Sequence, residues 1–435
     1  MTLIEALAAE GLTELVLLRR GDDFIATARR TFDDGLDFAR FNRDFDTDTI
    51  DLATPRVLQD GEVRAIDALG PTLQHLENSL HAGRHQMVVV KVHAGLGITT
   101  ALFVHSSKLG RNNGLHALRA GGFRRHELTE DELDVLTDGA NLSRAMSYKN
   151  AAADLPMGGC KMTVHAEPIA LDDTQRLGFL AYTIESGRFL TGPDMGFLPD
   201  HADAMRAKYT RHVTGGARGV LGPTGTPTAL GTFLAMKEAA AIHLGSEDLT
   251  GKVVAIQGLG AVGFPLARHL AEAGARLVVA DPSEAALIRA HEEFGALDVV
   301  ATDAILQTKC DVLAPCAFGG VLTPDTIEQL DCEMIYGSAN NQLAATSKER
   351  ELELAEMVAK RGILFQVDWT HNTAGVMSGF EEYVRGHEAR ASHLQPRLER
   401  VCRDGTRRIL ERARAEGRTP TAVAYDEVEA RIYDD

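Results

Sequence analysis

The sequence predicts a two-domain α/β protein whose second half is a doubly wound parallel sheet. A chain of 435 residues is longer than one ordinary hydrophobic core accommodates. From Lys252 onward, short apolar β-rich runs alternate with helical patterns, the signature of parallel strands joined by crossover helices. Within that half, a strand, a glycine-rich turn, a helix and a second strand ending in an acid follow one another between Lys252 and Asp281.

The elements read as follows in chain order. Residues 1–60 are acidic and weakly patterned. Phe32-Asp33-Asp34-Gly35 and the charged stretch Arg43 to Asp48 interrupt any long period, and no chemistry can be assigned there. Met87 to Val92 and Thr99 to Val104 flank Gly95-Leu96-Gly97 and predict a hairpin. Thr129-Glu130-Asp131-Glu132 is a capping-box start for a helix running toward Met146, which leaves Lys149 just past its end. Thr226-Pro227 supplies an N-cap and first-turn proline for a helix ending near Leu244, with Gly245 as its stop. Strands then centre on Val253 to Gln257, Arg276 to Ala280, Asp311 to Ala314, Glu333 to Tyr336 and Ile363 to Gln366. A helix spans Glu349 to Ala359, and the charged tail from Leu394 to Arg414 reads as one long helix returning to the first domain.

Composition narrows the function classes. A formal net charge of −17 repels a phosphate backbone, so no nucleic-acid partner is expected. The apolar runs are short and broken by charge, and the N-terminus lacks the basic start of a secretory signal, so no membrane association is expected. The five cysteines are odd in number and show no CxxC spacing, and the sixteen histidines show no HExxH pattern. Neither a disulfide framework nor a metal site is expected, and a reducing, cytoplasmic location fits. Cys160 reads as a reactive thiol or as a small buried filler.

Two segments carry chemistry. In Ser147 to Lys161, the lysines Lys149 and Lys161 stand twelve residues apart, with Gly158-Gly159 just before the second. A lysine beside a tight glycine bend is readily held in a cleft, where desolvation or a second cation lowers its pKa toward neutrality and makes it an acid/base. The alternative is a pair of solvated surface lysines. Downstream, the strand Lys252 to Gln257 leads into Gly258-Leu259-Gly260-Ala261-Val262-Gly263, a helix, and a strand ending at Asp281. This is a complete dinucleotide fingerprint, with glycines for the turn and close approach, a helix N-terminus for the pyrophosphate and an acid for the ribose. Asp281, followed by Pro282-Ser283-Glu284, has no adjacent arginine and favours NAD over a 2′-phosphorylated cofactor.

With these pieces, the chain resembles the amino-acid dehydrogenases of the glutamate/leucine/phenylalanine/valine family, nearest the leucine and phenylalanine branch. The likeness spans roughly residues 85–435. It rests on Ser147 to Lys161, Thr191-Gly192-Pro193-Asp194-Met195-Gly196, Thr228-Ala229-Leu230-Gly231, the fingerprint, Ala314-Pro315-Cys316-Ala317, and Gly337-Ser338-Ala339-Asn340-Asn341-Gln342-Leu343. The resemblance implies NAD-linked oxidative deamination of an L-amino acid to a 2-oxo acid and ammonia, with a homo-oligomer assembled through the first domain. It implies a substrate and oligomerisation domain over residues 61–222, with 1–60 attached to it unassigned. A Rossmann NAD-binding domain follows over 223–393, then a helical segment, 394–435, with a cleft between the domains.

By the same resemblance, Lys161 is the catalytic lysine, Asp194 handles the amino-group proton and Lys149 anchors the substrate carboxylate. Thr228, Cys316, Ala317 and Asn340 join the fingerprint residues as cofactor contacts. The sequence also departs from the family pattern. The family's Gly-Gly-x-Arg element is sought in Leu109 to Arg119, where Gly114 is the one surviving glycine and Asn113 replaces an aliphatic residue. In Asp368 to Val376, Asn372 is kept, but Thr370 and His371 replace apolar residues. A pocket lined by Asn113, Gly114, Thr370, His371 and Asn372 would leave polar groups unpaired against leucine, at about 1–3 kcal/mol each. A polar or aromatic side chain is therefore expected of the substrate. A catalytically altered NAD-binding partner or sensor protein of the same fold stands as the alternative.

Overall fold

The computed structural model describes residues 1–42 and 55–433; the charged stretch Arg43 to Asp48 lies outside them. The chain divides into two compact units. The first comprises Met1–Asn150, Leu155–Pro223 and Gly379–Ala389, and the second Ala151–Asp154, Thr224–Ser378 and Arg390–Asp435.

The first unit is built on a nine-stranded mixed sheet. Its order runs Val57–Leu58, Asp23–Arg29, Glu14–Arg20, Met87–His93, Ile98–Ser106, Gly158–His165, Arg119–Ala120, Phe189–Leu190, with Phe123–His126 also paired to Gly158–His165. The expected hairpin is present, with Met87 opposite Val104. Residues 1–29, unassigned from sequence, supply the helix Leu3–Ala9 and two strands of this sheet. They turn tightly between Arg20 and Asp23, where Gly21 takes a φ of 65°. A glycine is what such a two-residue turn requires.

Alternation along the strands gives the sheet two differently used faces. Cys160, Met162, Val164, Phe123 and Leu102 pack with Phe179 and Ile184 of the helix Thr174–Gly187. Cys160 is fully buried and burial pushes its thiol up to about 12, so it is a packing residue. The opposite face carries Phe103, Lys161, Thr163 and Arg124, and the helix Glu132–Ala152 lies over it. A Cβ on Gly139 of that helix would fall 2.5 Å from the Phe103 ring and 3.1 Å from Thr163. The helix is capped by Asp131, whose Oδ1 accepts from Leu133 and Asp134, rather than by Thr129. It runs past Met146, so Lys149 occupies its last turn instead of the following loop.

Beneath this helix, His85 and His105 are buried, their ring centroids 5.1 Å apart. Burial pushes His85 down to about 4, and burial together with His85 pushes His105 well below the ordinary range. In the unfolded chain both take up a proton near pH ~6.5. The stability from keeping them neutral is therefore complete above that pH and is lost as pH falls toward 4; His85 alone accounts for roughly 3 kcal/mol. The thermal midpoint should drop steeply between pH 7 and pH 5. His85→Gln should flatten part of that slope, and a midpoint unchanged over this interval would contradict the assignment.

The second unit is a six-stranded, all-parallel sheet in the order Asp298–Val299, Arg276–Ala280, Val253–Gln257, Cys310–Pro315, Cys332–Ile335, Leu364–Phe365. The doubly wound expectation holds. The helix Gly225–His243 starts two residues earlier than sequence suggested, behind Thr224, so Thr226 lies inside it. Two boundaries differ from expectation: residues 379–389 belong to the first unit, and the C-terminal segment belongs to the second. The helix expected over Leu394 to Arg414 runs without a break from Ala391 to Glu416, as Ala391–Leu398, a π-helical stretch Glu399–Asp404 and Gly405–Glu416, and a further helix, Pro420–Ile432, follows it. Arg403 and Arg407 donate to the buried Glu238 carboxylate at 3.1 and 2.7 Å, pinning the segment to the Gly225–His243 helix. Paired arginines make a buried carboxylate tolerable, and a period of 3.6 alone could not reveal that choice of partner.

Candidate functional site

In the first unit the site is assembled on the sheet face under the Glu132–Ala152 helix. Strand Gly158–His165 aims Lys161 onto that face, and Lys161 is only 5% exposed. Its ammonium donates to Asp194 Oδ2. Asp194 sits in a turn in which its N–H donates to Phe197 and its Oδ1 accepts from Met195 at 2.8 Å. Gly196 closes the turn at φ 70°, where a Cβ would lie 2.7 Å from Arg125 Cβ.

The neighbouring strand Phe123–His126 adds Arg124, which reaches Asp194 at 3.4 Å and Asp138 of the overlying helix at 3.2 Å. His126 meets Asp138 at 3.2 Å and Glu130 at 2.8 Å. The result is a line of alternating charge: Glu130, His126, Asp138, Arg124, Asp194, Lys161. Burial alone would raise the Asp194 carboxyl, but Lys161, Arg124 and the Met195 N–H overcome it and hold the group down to about 2. The sequence suggested a companion cation for Lys161; the structure gives it a carboxylate partner. Lys149 lies eleven residues after Asp138 on one helix, hence on the same face three turns further along.

Glycines fit this arrangement together. A Cβ on Gly121 would fall 1.7 Å from the Cys160 carbonyl oxygen, and one on Gly122 would fall 2.7 Å from Lys161 Nζ and 3.0 Å from Asp194 Oδ2. Gly159 meets the helix backbone at Ser147, its built Cβ 2.1 Å from Ser147 N. Buried Asn150 donates to Ala120 O at 3.1 Å and Gly158 O at 2.8 Å, tying two strand ends to the helix.

These contacts correct the sequence reading of the Gly-Gly-x-Arg element. Gly121-Gly122-Phe123-Arg124 fits that pattern and touches Lys161 and Asp194, whereas Asn113 and Gly114 do not belong to it. The Asn113 amide is occupied locally, donating to Pro156 O at 2.8 Å and Ala117 O at 3.2 Å and accepting from Leu115 N at 2.8 Å. Gly114 is an exposed turn residue at φ 72°. Sequence reasoning missed Gly122, Arg124, Asp138 and Asn150. The second Gly-Gly pair was the signal available for the first two.

In the second unit, the fingerprint glycines each have a separate reason. Gly258 adopts φ 91° with a built Cβ 2.9 Å from Ala317, and Gly263 brings the helix onto Gly258 O, 1.9 Å from a built Cβ. Gly260 has nothing within 4 Å of its built Cβ, leaving the turn open between Leu259 and Ala261-Val262. Asp281 accepts from Leu259 N at 2.7 Å and Ser283 N at 2.8 Å, which fixes its carboxylate beside the turn. The sequence showed no adjacent arginine. The fold nevertheless brings Arg289 to Leu259 O at 3.2 Å, with its guanidinium 3.8 Å from the centre of the Phe264 ring.

At the carboxyl ends of the next strands, Cys316 N donates to Gln257 O at 2.8 Å, and Asn372 donates to Asn340 Oδ1 at 3.0 Å and Ser338 O at 3.2 Å. Thr228 Oγ1 lies 2.8 Å from a Cβ built on Gly375. The Asn372 Oδ1 is a buried acceptor with no partner among the described residues. An open turn at Gly260 and Ala261 leading into the helix, and an orphaned acceptor at the strand ends, fit a dinucleotide carrying a carboxamide donor.

Thr370 and His371 do not line a polar pocket. Thr370 Oγ1 donates to Val367 O at 2.7 Å and accepts from Gln366 at 2.7 Å, and His371 Nε2 contacts Gly337 O at 3.0 Å. Both are buried and hold the chain reversal after the last strand. With Asn113 also occupied, the three residues give no reason for a polar substrate side chain.

Comparison with known proteins matches both parts of the chain to one family. The family model described as Glu/Leu/Phe/Val dehydrogenase, dimerisation domain, matches residues 105–211. That described as Glutamate/Leucine/Phenylalanine/Valine dehydrogenase matches residues 219–431. The leucine dehydrogenase of Thermoactinomyces intermedius is 34% identical over 342 residues, 77% of this chain and 87% of the relative. The chain belongs to the Glu/Leu/Phe/Val dehydrogenase family. The phenylalanine dehydrogenase of Bacillus thermotolerans is 36% identical, over 68% of this chain and 76% of that protein. The crystal structure of L-tryptophan dehydrogenase from Nostoc punctiforme superposes with a TM-score of 0.65 at 30% identity, covering 82% of this chain and 98% of that one. Within this dehydrogenase chain, Gly121 to Arg124, Lys149, Lys161 and Asp194 fall in the segment matched by the dimerisation-domain model, and the fingerprint in the other. Residues 1–104 lie outside both matches.

Proposed function

We propose that the protein is an NAD-dependent L-amino-acid dehydrogenase, catalysing reversible oxidative deamination to a 2-oxo acid and ammonia. The observation that carries this reading is the buried Lys161–Asp194 pair, set against Gly122 and steadied by Arg124. Lys149 receives the substrate carboxylate, by its motif and its place on the Asp138 face. Asp194, held ionised, accepts a hydrogen bond from the substrate ammonium. Asp194 takes one proton from that ammonium, and a nicotinamide, when bound, would supply the acceptor for the hydride on Cα, leaving an iminium. Lys161 in its neutral form deprotonates the water that attacks the resulting iminium carbon, and its ammonium then supports the carbinolamine oxygen. Asp194 passes the proton to the departing nitrogen. The Lys161–Asp194 contact lets that proton move between them without rearrangement.

The second unit fits the cofactor through Gly258 to Gly263, Thr228, Cys316, Ala317, Asn340 and Asn372. Asp281 favours NAD because a 2′-phosphate would face its carboxylate. The side chain accepted is large and apolar or aromatic. Relatives named leucine, phenylalanine and tryptophan dehydrogenases support this, and so do the exposed Met195 and Leu198 flanking the Asp194 turn. The matched dimerisation-domain model supports homo-oligomerisation through the first unit. No described helix is long and apolar enough to cross a membrane.

The test is a panel of L-amino acids and 2-hydroxy acids with NAD or NADP, following cofactor reduction and ammonia. Leucine, phenylalanine or tryptophan with NAD should give the highest kcat/KM. Oxidation of hydroxy acids alone would overturn the reaction class, NADP turnover equal to that with NAD would overturn the role of Asp281, and silence across the panel would favour a non-catalytic binding protein.

A further inference from the structure

Away from the Lys161–Asp194 site, the first unit brings together His116, Glu185 and His212, three residues that no sequence motif links. His116 stands in the loop before strand Arg119–Ala120, Glu185 in the last turn of the helix Thr174–Gly187, and His212 in the segment that follows Pro199–Lys208. His116 Nδ1 and His212 Nε2 face each other at 3.2 Å, and the rings lie 4.8 Å apart at their centres. His212 is buried, Glu185 nearly so, and His116 is open to solvent on one side.

We propose that His116 and His212 bind a transition-metal ion of the zinc class, with Glu185 orienting His212 and completing the set. Two imidazole nitrogens at 2.0–2.1 Å from a tetrahedral zinc ion are separated by about 3.4 Å, close to the spacing the two rings already hold. Glu185 Oε1 contacts His212 Nδ1 at 2.7 Å. That contact places the ring proton on Nδ1 and leaves the Nε2 lone pair aimed at His116, the carboxylate–histidine arrangement that typically stands behind a metal ligand. Thr210 Oγ1 donates to the same carboxylate oxygen and so fixes it in turn. The other oxygen, Oε2, is 4.0 Å from His116 Nδ1, within a small rotation of a third ligand position.

The His116 backbone is itself held, its carbonyl accepting from Arg188 Nε at 3.0 Å. Tyr383 packs on the inner ring, 5.4 Å from its centre, and its hydroxyl accepts from Ala117 N at 3.3 Å. The open side of His116 leaves room for water to fill the remaining positions and for the ion to enter. Imidazole donors select zinc, cobalt, nickel or copper over calcium and magnesium. Such an ion would clamp the 107–118 loop to the end of the Thr174–Gly187 helix, a structural rather than a catalytic role.

The test uses the full chain, freed of metal by chelation and returned to chelator-free buffer. Zinc and cobalt are titrated by calorimetry, with the visible cobalt spectrum as a second readout. One ion per chain should bind to this site, cobalt should show the intense visible bands of a tetrahedral nitrogen/oxygen site, and zinc should raise the thermal midpoint by at least about 2 °C. His116→Ala, a change at an exposed side chain, should remove that ion and that shift while turnover with amino acid is kept. His212→Gln should do the same for the ion. Absence of binding to the wild-type chain, or binding of the same stoichiometry and spectrum in His116→Ala, would overturn the proposal.

Discussion

Lys161→Met is expected to lower kcat by about a thousandfold or more while leaving the chain folded. Methionine keeps the length and apolar stem of lysine, so the buried strand position loses its ammonium without gaining a void. Asp194 then retains Arg124 at 3.4 Å and the Met195 N–H, which keep its charge partnered. Asp194→Asn should give a loss of similar size, since the amide neither carries the negative charge nor accepts a proton from Lys161. Because the two groups act on one proton path, the double variant should be scarcely slower than either single one. Multiplied losses would mean that they serve separate steps. Circular dichroism and thermal midpoints close to wild type are needed beside the rates, and a kcat within a few-fold of wild type in Lys161→Met would remove that residue from the chemistry.

Gly122→Ala is the second large effect, and Gly121→Ala is its control. An alanine at 122 would place its methyl 2.7 Å from Lys161 Nζ and 3.0 Å from Asp194 Oδ2. Nζ is the free end of a flexible side chain, so the clash is relieved by moving the reactive group while the backbone stays put. A displacement of about 1 Å at a reacting centre costs about a hundredfold in rate, and that is the expected loss in kcat, with a thermal midpoint within a few degrees of wild type. At 121 the added methyl meets the Cys160 carbonyl oxygen at 1.7 Å, which is backbone inside the sheet and cannot yield. Gly121→Ala should therefore fail in expression or unfold early. The same substitution one residue apart separates a chemical from a structural requirement, and similar behaviour of the two variants would contradict the geometry around Lys161.

Much of this molecule was legible in the sequence wherever local pattern and tertiary role coincide. The fingerprint from Val253 to Asp281 is local, with turn, helix start and acid all within one βαβ segment, and the structure shows a close approach that requires glycine at Gly258 and at Gly263. Lys161 and Asp194 were singled out through the motifs around them, and the fold brings the two side chains into contact. What stayed hidden depended on contacts between distant segments. Arg124 and Asp138 become part of the site only once strand Phe123–His126 and helix Glu132–Ala152 are laid on the same sheet face. Arg289 reaches the Asp281 turn from the next helix, and no inspection of the residues beside Asp281 could show it. Thr370 and His371 were misread because a polar side chain in a family pocket segment suggests a polar ligand. Their donors and acceptors are instead matched by Val367, Gln366 and Gly337, which stabilises a chain reversal. The first thirty residues were passed over because Leu15, Leu17, Ala26 and Ala28 are buried on alternate positions of strands that also carry charge, a pattern weaker than a continuous apolar run.

The assignment of amino-acid oxidation to the Lys161–Asp194 site is tested most directly with an L-amino acid deuterated at Cα. Incubated with the enzyme and oxidised NAD, leucine or phenylalanine labelled in this way should yield reduced cofactor carrying the deuterium, with one ammonia and one 2-oxo acid released for each cofactor reduced. Reduced cofactor without deuterium, or formed without stoichiometric ammonia, would show that no hydride leaves the carbon bearing nitrogen and would contradict the proposed roles of both Lys161 and Asp194.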